Sequence, residues 1–163
     1  MAAIYGNRML AVFVVMTAMF AAANLNAAPP QHDAAQPARM LDYEFFKARV
    51  EPIFLKQRGD HARCYACHAS NTGPQYLVKL SPGATSWNEE QSRKVFENVS
   101  KLINRNDPMK SRFLNHPLSP LAGGDADYLH SGGRQFESKD DPDWKAMAAW
   151  ASGETLASSS ATK

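Results

Sequence analysis

The chain has 163 residues and a formal net charge of +2. This length fits one modest domain and leaves no room for two substantial cores. Apart from Arg8, which lies in the predicted leader, the chain has 17 basic residues against 16 acidic ones. A balance so close to neutral gives no indication that the protein binds nucleic acid or an anionic membrane.

The first 27 residues are predicted to be a secretory signal peptide. One basic residue, Arg8, precedes an apolar run from Met9 to Ala23, and small residues suited to signal peptidase follow it. The run is shorter than the ~20 residues that usually cross a bilayer. We expect cleavage after Ala23 or Ala27, with no stable membrane span afterwards, and an uncleaved anchor is the alternative. The mature protein is therefore expected in the periplasm or another exported compartment.

Two further segments are predicted to lie outside the folded part. Residues 28–40 are rich in Pro, Ala and Gln and are typical of a flexible linker. Residues 155–163 are predicted to form a disordered tail. The folded domain is therefore expected to span residues 41–154, and it has no internal repeat.

The first of three predicted helices surrounds Pro52. Asp42 is its candidate N-cap, and Pro52 is expected to kink the helix or restart it. The apolar positions recur at helical spacing, which predicts one buried face. That face comprises Phe46, Val50, Ile53 and Phe54.

The second and third predicted helices also have recognisable ends. The second opens with Ser86-Trp87-Asn88-Glu89, which fits a capping-box pattern. Its apolar face comprises Val95, Val99 and Leu102. The third begins at Asp141 and Pro142 and stops at Gly153. Its apolar face comprises Trp144, Met147, Ala148 and Ala151.

The predicted fold class is mostly α, a small helical domain with long loops. No stretch shows the alternation of apolar and polar residues that is typical of a strand. The loops at 69–85 and 104–141 are long. A loop as long as 104–141 normally needs something to pack against in so small a domain. Three helices make a thin core, so we expect a large apolar cofactor to complete it.

The only two cysteines lie in the stretch Cys64-Tyr65-Ala66-Cys67-His68. A disulfide at this spacing closes a tiny loop and stabilises little, and a redox-active pair would want a βαβ setting that is missing here. A zinc site needs four ligands as a rule. The remaining histidines are scattered along the chain, at His32, His61, His116 and His130.

Attachment of a c-type haem accounts for the whole stretch. Two thiols separated by two residues can each form a thioether with one vinyl group of a haem, and a histidine directly after the second cysteine then falls beneath the iron. Haem is attached in this way outside the cytoplasm, which agrees with the predicted signal peptide. The sequence therefore predicts one covalent haem c, with Cys64 and Cys67 as the thioether sites and His68 as the proximal iron ligand.

Several pieces of the chain, taken in order, resemble the planctomycete-type cytochrome c domain. They are Val50-Glu51-Pro52-Ile53-Phe54, the CYACH stretch, Leu77 and Leu80, the segment Asp107-Pro108-Met109-Lys110-Ser111-Arg112-Phe113-Leu114, and Trp144 to Gly153. The resemblance covers about residues 49–154. It implies a cytochrome c-like helical domain wrapped around one haem, with a methionine ligand in a Met-Pro-Pro loop before the last helix.

This chain has no Met-Pro-Pro in that loop. His130, in Tyr128-Leu129-His130-Ser131-Gly132-Gly133-Arg134, occupies the corresponding place and is the predicted distal iron ligand. The neighbouring glycines would let the backbone approach a flat macrocycle closely. His116 is the second candidate, and Met109, Met147 and an open sixth position are further alternatives. A second histidine would give a lower reduction potential than a methionine.

Other side chains are expected to contribute to the pocket. Arg63, next to the first cysteine, is a candidate partner for a haem propionate. Four aromatic residues are expected to line the haem pocket or to belong to the ordinary core. They are Phe46, Phe54, Trp144 and Trp150.

The sequence thus predicts an exported monohaem c-type cytochrome that carries single electrons between periplasmic redox partners. Such a carrier is not an enzyme and needs no catalytic residue beyond the iron and its ligands. One alternative is a haem enzyme or a gas or peroxide sensor with an open or displaceable sixth iron position. Another is a haem-bearing subunit of a larger respiratory or dehydrogenase complex, which the long 104–141 loop suggests.

Overall fold

The computed structural model describes residues 40–70, 72–126 and 129–160. All of these belong to one compact unit. The predicted signal peptide and all of the predicted linker except Met40 lie outside the described residues. Within the described part no helix is long and apolar enough to cross a membrane.

The described residues are mostly α-helical and contain no β-strand, which confirms the predicted class. Two isolated β-bridges, Arg58 with His61 and Leu118 with Phe136, are the only β-type pairings among them. The helices are α1 (Tyr43–Phe45), α2 (Glu51–Leu55), α3 (Cys64–His68), α4 (Glu89–Ser100), α5 (Arg112–Asn115), α6 (Pro142–Ala151) and α7 (Leu156–Ser160). A π-helical segment, Phe46–Val50, joins α1 to α2, and 3-10 turns form at Pro108–Lys110 and Pro120–Ala122.

The first predicted helix begins and breaks where the sequence indicates. The carboxylate of Asp42 accepts a hydrogen bond from the Phe45 N–H and caps α1. Pro52 has no N–H to donate to the preceding turn. The chain therefore passes through the π-helical segment, where the Glu51 N–H donates to the Phe46 carbonyl, and α2 restarts at Glu51. The four predicted apolar positions of this helix are all buried.

The cap of α4 lies two residues later than predicted. The side chain of Asn88 accepts from the Gln91 N–H at 2.9 Å, and Gln91 Oε1 accepts from the Asn88 N–H at 3.2 Å. The predicted capping box of Ser86 and Glu89 is therefore wrong. Trp87 explains the shift, because its ring is buried against the core and its Nε1–H donates to the Val78 carbonyl at 2.6 Å, in the loop before the helix.

The buried faces of the second and third predicted helices are largely confirmed. Val95 and Val99 are fully buried, whereas Leu102 lies beyond the end of α4 and is 37% exposed. The predicted apolar face of α6 is buried throughout. Asp141 caps α6 by accepting from two backbone N–H groups of its first turn. Gly153, with φ of +85°, follows its end as predicted.

Trp150 joins the first helical segment to α5 and α6 in the core. Its ring centre lies 5.0 Å from that of Phe46 and 5.9 Å from that of Phe113. Its Nε1–H donates to the Asp42 carbonyl at 3.0 Å, so this fully buried side chain leaves no unsatisfied donor. Truncating a buried tryptophan of this kind typically costs about 3–5 kcal/mol.

The long 104–141 loop is organised by short helices and by backbone pairing. It contains α5 and both 3-10 turns. The Ser119 N–H donates to the Phe136 carbonyl at 2.7 Å, and the Gln135 and Phe136 N–H groups both donate to the Pro117 carbonyl. These bonds lay residues 117–119 beside residues 135–136, which brings the segment of His116 next to the segment of His130.

The 69–85 loop is fastened to α3. The Leu77 N–H donates to the His68 carbonyl at 3.0 Å. The hydroxyl of Tyr65, inside the CYACH stretch, accepts from the Leu80 N–H at 3.0 Å. The His68 carbonyl and the Tyr65 hydroxyl of α3 therefore anchor the 69–85 loop.

The end of the chain departs in part from the predicted disordered tail. Helix α7, Leu156–Ser160, forms within the segment 155–163. Residues 161–163 of the predicted tail lie outside the described residues.

Glu51→Gln is expected to stabilise the domain at neutral pH. Glu51 is 7% exposed and accepts a hydrogen bond from Ser92 Oγ, and burial raises the pKa of its carboxyl group above its ordinary value. The favourable contribution of Glu51 is therefore complete below its unfolded pKa and is lost as the pH rises through its folded pKa. The amide keeps an acceptor for Ser92 without ionising, so we expect a melting temperature higher by about 4 °C, or about 1 kcal/mol.

Thermal denaturation followed by circular dichroism checks this, with Glu44→Gln as the matched control. Glu44 lies in the same helical segment but is exposed. The gain from Glu51→Gln should shrink at about pH 4, where the wild-type carboxyl becomes protonated in both states. Equal melting temperatures for the Glu51→Gln variant and the wild type at both pH values would contradict the expectation.

Candidate cofactor site

Helix α3 brings the two cysteines and the adjacent histidine to one face. The helix spans Cys64–His68, and Arg63 before it is extended. Residues three and four positions apart lie on the same side of an α-helix. Cys64 therefore shares a face with Cys67 and His68, and both cysteines are free thiols.

Two cavities lie against this face of α3. Their volumes are about 200 Å³ and about 120 Å³. The same five residues help to line both, namely Cys64, His68, Pro74, His116 and His130. The larger cavity has a mostly apolar wall that includes Phe54, Tyr76, Leu102, Phe113, Phe136 and Met147. A site of this composition suits a large apolar group with a few polar anchors.

His68 is held in one orientation by two contacts. Its Nδ1 lies 2.9 Å from the Pro74 carbonyl oxygen, and its ring stacks on Tyr76 with the centres 4.3 Å apart. Burial lowers the pKa of His68, which favours the neutral imidazole. A histidine that donates from Nδ1 to a backbone carbonyl leaves Nε2 to bind a metal, an arrangement typical of metal-binding histidines.

His130 is oriented in the same manner from the opposite loop. Its Nδ1 lies 2.6 Å from the Gly133 carbonyl oxygen, and burial lowers its pKa as well. Within the described part of the chain, Nε2 of His68 and Nε2 of His130 have no hydrogen-bond partner. Nε2 is therefore the ring nitrogen that each of the two side chains has available to bind a metal ion.

The separation of these two imidazoles fits a shared metal ion. Metal–imidazole bonds are about 2.0–2.1 Å long and the ring centre lies about 1.1 Å behind the bonding nitrogen, so two rings on opposite sides of one ion have centres about 6.3 Å apart. The ring centres of His68 and His130 are 6.3 Å apart. The distance between the rings is therefore the one expected if both imidazoles bind the same metal ion.

His116 is the third histidine at the site. Its Nδ1 lies 3.0 Å from Asp125 Oδ2, and its ring centre lies 5.0 Å from that of His130. Arg134 donates hydrogen bonds to the carbonyls of His116 and Asp125. Arg134 therefore ties the His116 segment to the loop that carries His130.

The Cys64 thiol is held in its protonated form. Burial raises the pKa of this thiol to about 11, so Cys64 carries no charge at neutral pH. Across residues 40–70, 72–126 and 129–160, no group of three or more His, Cys, Asp or Glu side chains is arranged to hold a metal ion. A haem differs from such a site because the porphyrin supplies four ligands and the protein only one or two.

The structure brings together most of the predicted site residues. Cys64, Cys67, His68, His116 and His130 all line these cavities, and Arg63 lines the smaller one. Of the two candidate methionines, Met147 lines the larger cavity, whereas Met109 is 43% exposed and lines neither.

The four aromatic residues divide between the two predicted locations, and Phe54 lines the larger cavity. Phe46 and Trp150 instead pack against each other in the core, and Trp144 donates its Nε1–H to the Leu114 carbonyl at 3.1 Å. Sequence reasoning missed Tyr76 and Asp125, and no motif around either one indicates a role.

Gly133→Ala is expected to displace the His130 loop and to destabilise the domain. Gly133 has φ of +82°, and a Cβ atom there would lie 2.3 Å from Nδ1 of His61. Gly83 is the matched control, because its φ is +77° and a Cβ atom there would meet nothing within 4 Å. Both substitutions incur the backbone penalty of about 1–2 kcal/mol, and Gly133→Ala adds about 1–3 kcal/mol of crowding. Equal losses in urea denaturation would contradict this packing of the loop.

Comparison of the chain with protein-family models, with curated proteins and with solved structures found no match. The support for a function comes from the cysteines, histidines and cavities described above.

Proposed function

We propose that the protein is an exported monohaem c-type cytochrome that carries single electrons between redox partners. One observation carries the proposal. A short helix presents Cys64, Cys67 and His68 on one face, and the His130 imidazole lines the same cavity with its centre 6.3 Å from that of His68. The earlier resemblance to the planctomycete-type cytochrome c domain agrees with it, apart from the missing Met-Pro-Pro.

The chain's own residues would do three things for the haem. The thiols of Cys64 and Cys67 would each add across one vinyl group, which fixes the macrocycle against α3. His68, oriented by the Pro74 carbonyl and the Tyr76 ring, would bind the iron from one side. The apolar residues of the larger cavity would exclude water from the macrocycle. The bound haem would supply the one-electron chemistry.

His130 would bind the iron from the other side. Its Nδ1 contact with the Gly133 carbonyl and its distance from His68 both support this role. Two histidine ligands would give a carrier of comparatively low potential. Met147, in the wall of the larger cavity, is the alternative ligand that would give a higher potential.

A partner would approach near the smaller cavity. Leu129 lines that cavity and is 87% exposed, directly before His130. An exposed apolar side chain beside the site suits brief contact with another redox protein. The partner is a periplasmic redox protein or a larger respiratory or dehydrogenase complex.

One observation favours a second candidate function, a haem enzyme or a gas or peroxide sensor. The carboxylate of Asp125 and the imidazole of His116 form a pair beside His130. If His130 left the iron, this pair would stand next to an open position as an acid–base group.

Spectroscopy and carbon monoxide binding separate the two functions. We expect the wild-type holoprotein to be low-spin in optical and low-temperature EPR spectra, because both axial positions are taken, and to titrate as a reversible one-electron couple. We expect the ferrous protein to bind carbon monoxide only slowly. A high-spin spectrum, or ready carbon monoxide binding without denaturant, would contradict the carrier and favour the sensor or enzyme.

A further inference from the structure

Two histidines reach the same side of the site from different segments of the chain. The rings of His116 and His130 have centres 5.0 Å apart and are inclined at 67°. Both side chains line both cavities together with His68. Two imidazoles are therefore available for the single position of the sixth ligand on the proposed haem iron.

Hydrogen bonds of its backbone and of its side chain hold His116 in place. It caps α5, and its N–H donates to the Arg112 carbonyl at 2.9 Å. Its own carbonyl accepts a hydrogen bond from Arg134, and Pro117 follows and restricts its backbone. Its Nδ1 is bound to the Asp125 carboxylate at 3.0 Å. A carboxylate partner raises the basicity of an imidazole and strengthens it as a ligand.

His130 is held by its own loop. Its Nδ1 partner is the carbonyl of Gly133, only three residues further along. Gly133 has φ of +82°, and Leu129 on the other side of His130 is 87% exposed. The loop is joined to the rest of the domain by the Ala62 N–H, which donates to the Gly132 carbonyl at 3.1 Å, and by Gln135 Nε2, which donates to the Gly133 carbonyl. Movement of the loop would break these hydrogen bonds, whereas the contacts of His116 with Arg112 and Asp125 would be kept.

We propose that His116 exchanges with His130 as the sixth iron ligand. His130 binds in the described arrangement, and His116 takes the position when the 129–133 loop moves away. Nε2 of His116 would then hold the iron in place of Nε2 of His130, so that one iron–nitrogen bond would replace another and no electron would be taken up. This inference rests on the proposed haem site and concerns its regulation. Each imidazole in its turn would supply the sixth ligand, and His116 would bring the Asp125 carboxylate as its Nδ1 partner.

Four holoproteins test the exchange, namely the wild type, His130→Ala, His116→Ala and the double variant. We expect the wild type and both single variants to be low-spin in low-temperature EPR spectra, because one histidine remains in each. We expect the double variant to be high-spin and its ferrous form to bind carbon monoxide at least about tenfold faster than either single variant. Circular dichroism checks that all four are folded.

A second measurement tests the role of the carboxylate. In the His130→Ala background, Asp125→Asn should shift the EPR g values, since the ligand Nδ1 would lose its charged partner. Asp107→Asn is the matched control, because Asp107 pairs with the exposed Lys110 and lines neither of the two cavities. Equal spectra for these two variants would count against His116 as the ligand.

The outcomes distinguish this inference from the proposed function. A low-spin wild type with a high-spin His130→Ala variant overturns the exchange and leaves the carrier intact. A low-spin double variant also overturns the exchange, because another group, such as Met147, would then bind. A high-spin His116→Ala variant would make His116 the resting ligand and overturn the exchange too. A high-spin wild type overturns both proposals.

Discussion

The whole site depends on the helical spacing of α3, which places Cys64, Cys67 and His68 on one face of a single short helix. A helix of this length is not stable alone. Its surroundings hold it: the Leu77 N–H binds the His68 carbonyl, and the Tyr65 hydroxyl binds the Leu80 N–H. The 69–85 loop therefore stabilises α3. Tyr65, inside the motif, contributes one of the hydrogen bonds that join the two.

The wall of the site that carries His116 and His130 is formed by contacts between segments that are distant in sequence. Backbone bonds from Gln135 and Phe136 to the Pro117 carbonyl lay the two loop segments side by side. Arg58 reinforces this wall, because its guanidinium lies over the Phe136 ring and pairs with both Asp141 and Asp143 at the start of α6. Histidines that are 14 residues apart in the chain, His116 and His130, become neighbours as a result.

Local signals could be predicted from the sequence, and long-range contacts could not. Asp42, Pro52 and Gly153 act within one turn of their own position, so their roles follow from residue type. The sequence predicts the cap of α4 two residues early because the capping-box pattern fits both Ser86 and Asn88, and burial of Trp87 decides between them. The stacking of Tyr76 on His68 and the pairing of Asp125 with His116 depend on loop conformations. Neither loop carries a pattern that fixes its conformation, and so neither contact could be predicted.

The central claim is that Cys64 and Cys67 bind one haem covalently. The most direct test is the intact mass of the purified mature chain, expressed in a periplasm with a haem-attachment system, beside a Cys64→Ser/Cys67→Ser variant. The wild type should exceed the polypeptide mass by one haem that survives denaturation and acidic organic extraction, and the variant should carry none. A wild-type mass equal to the polypeptide, or lower by the two hydrogens lost to a disulfide, would contradict the claim.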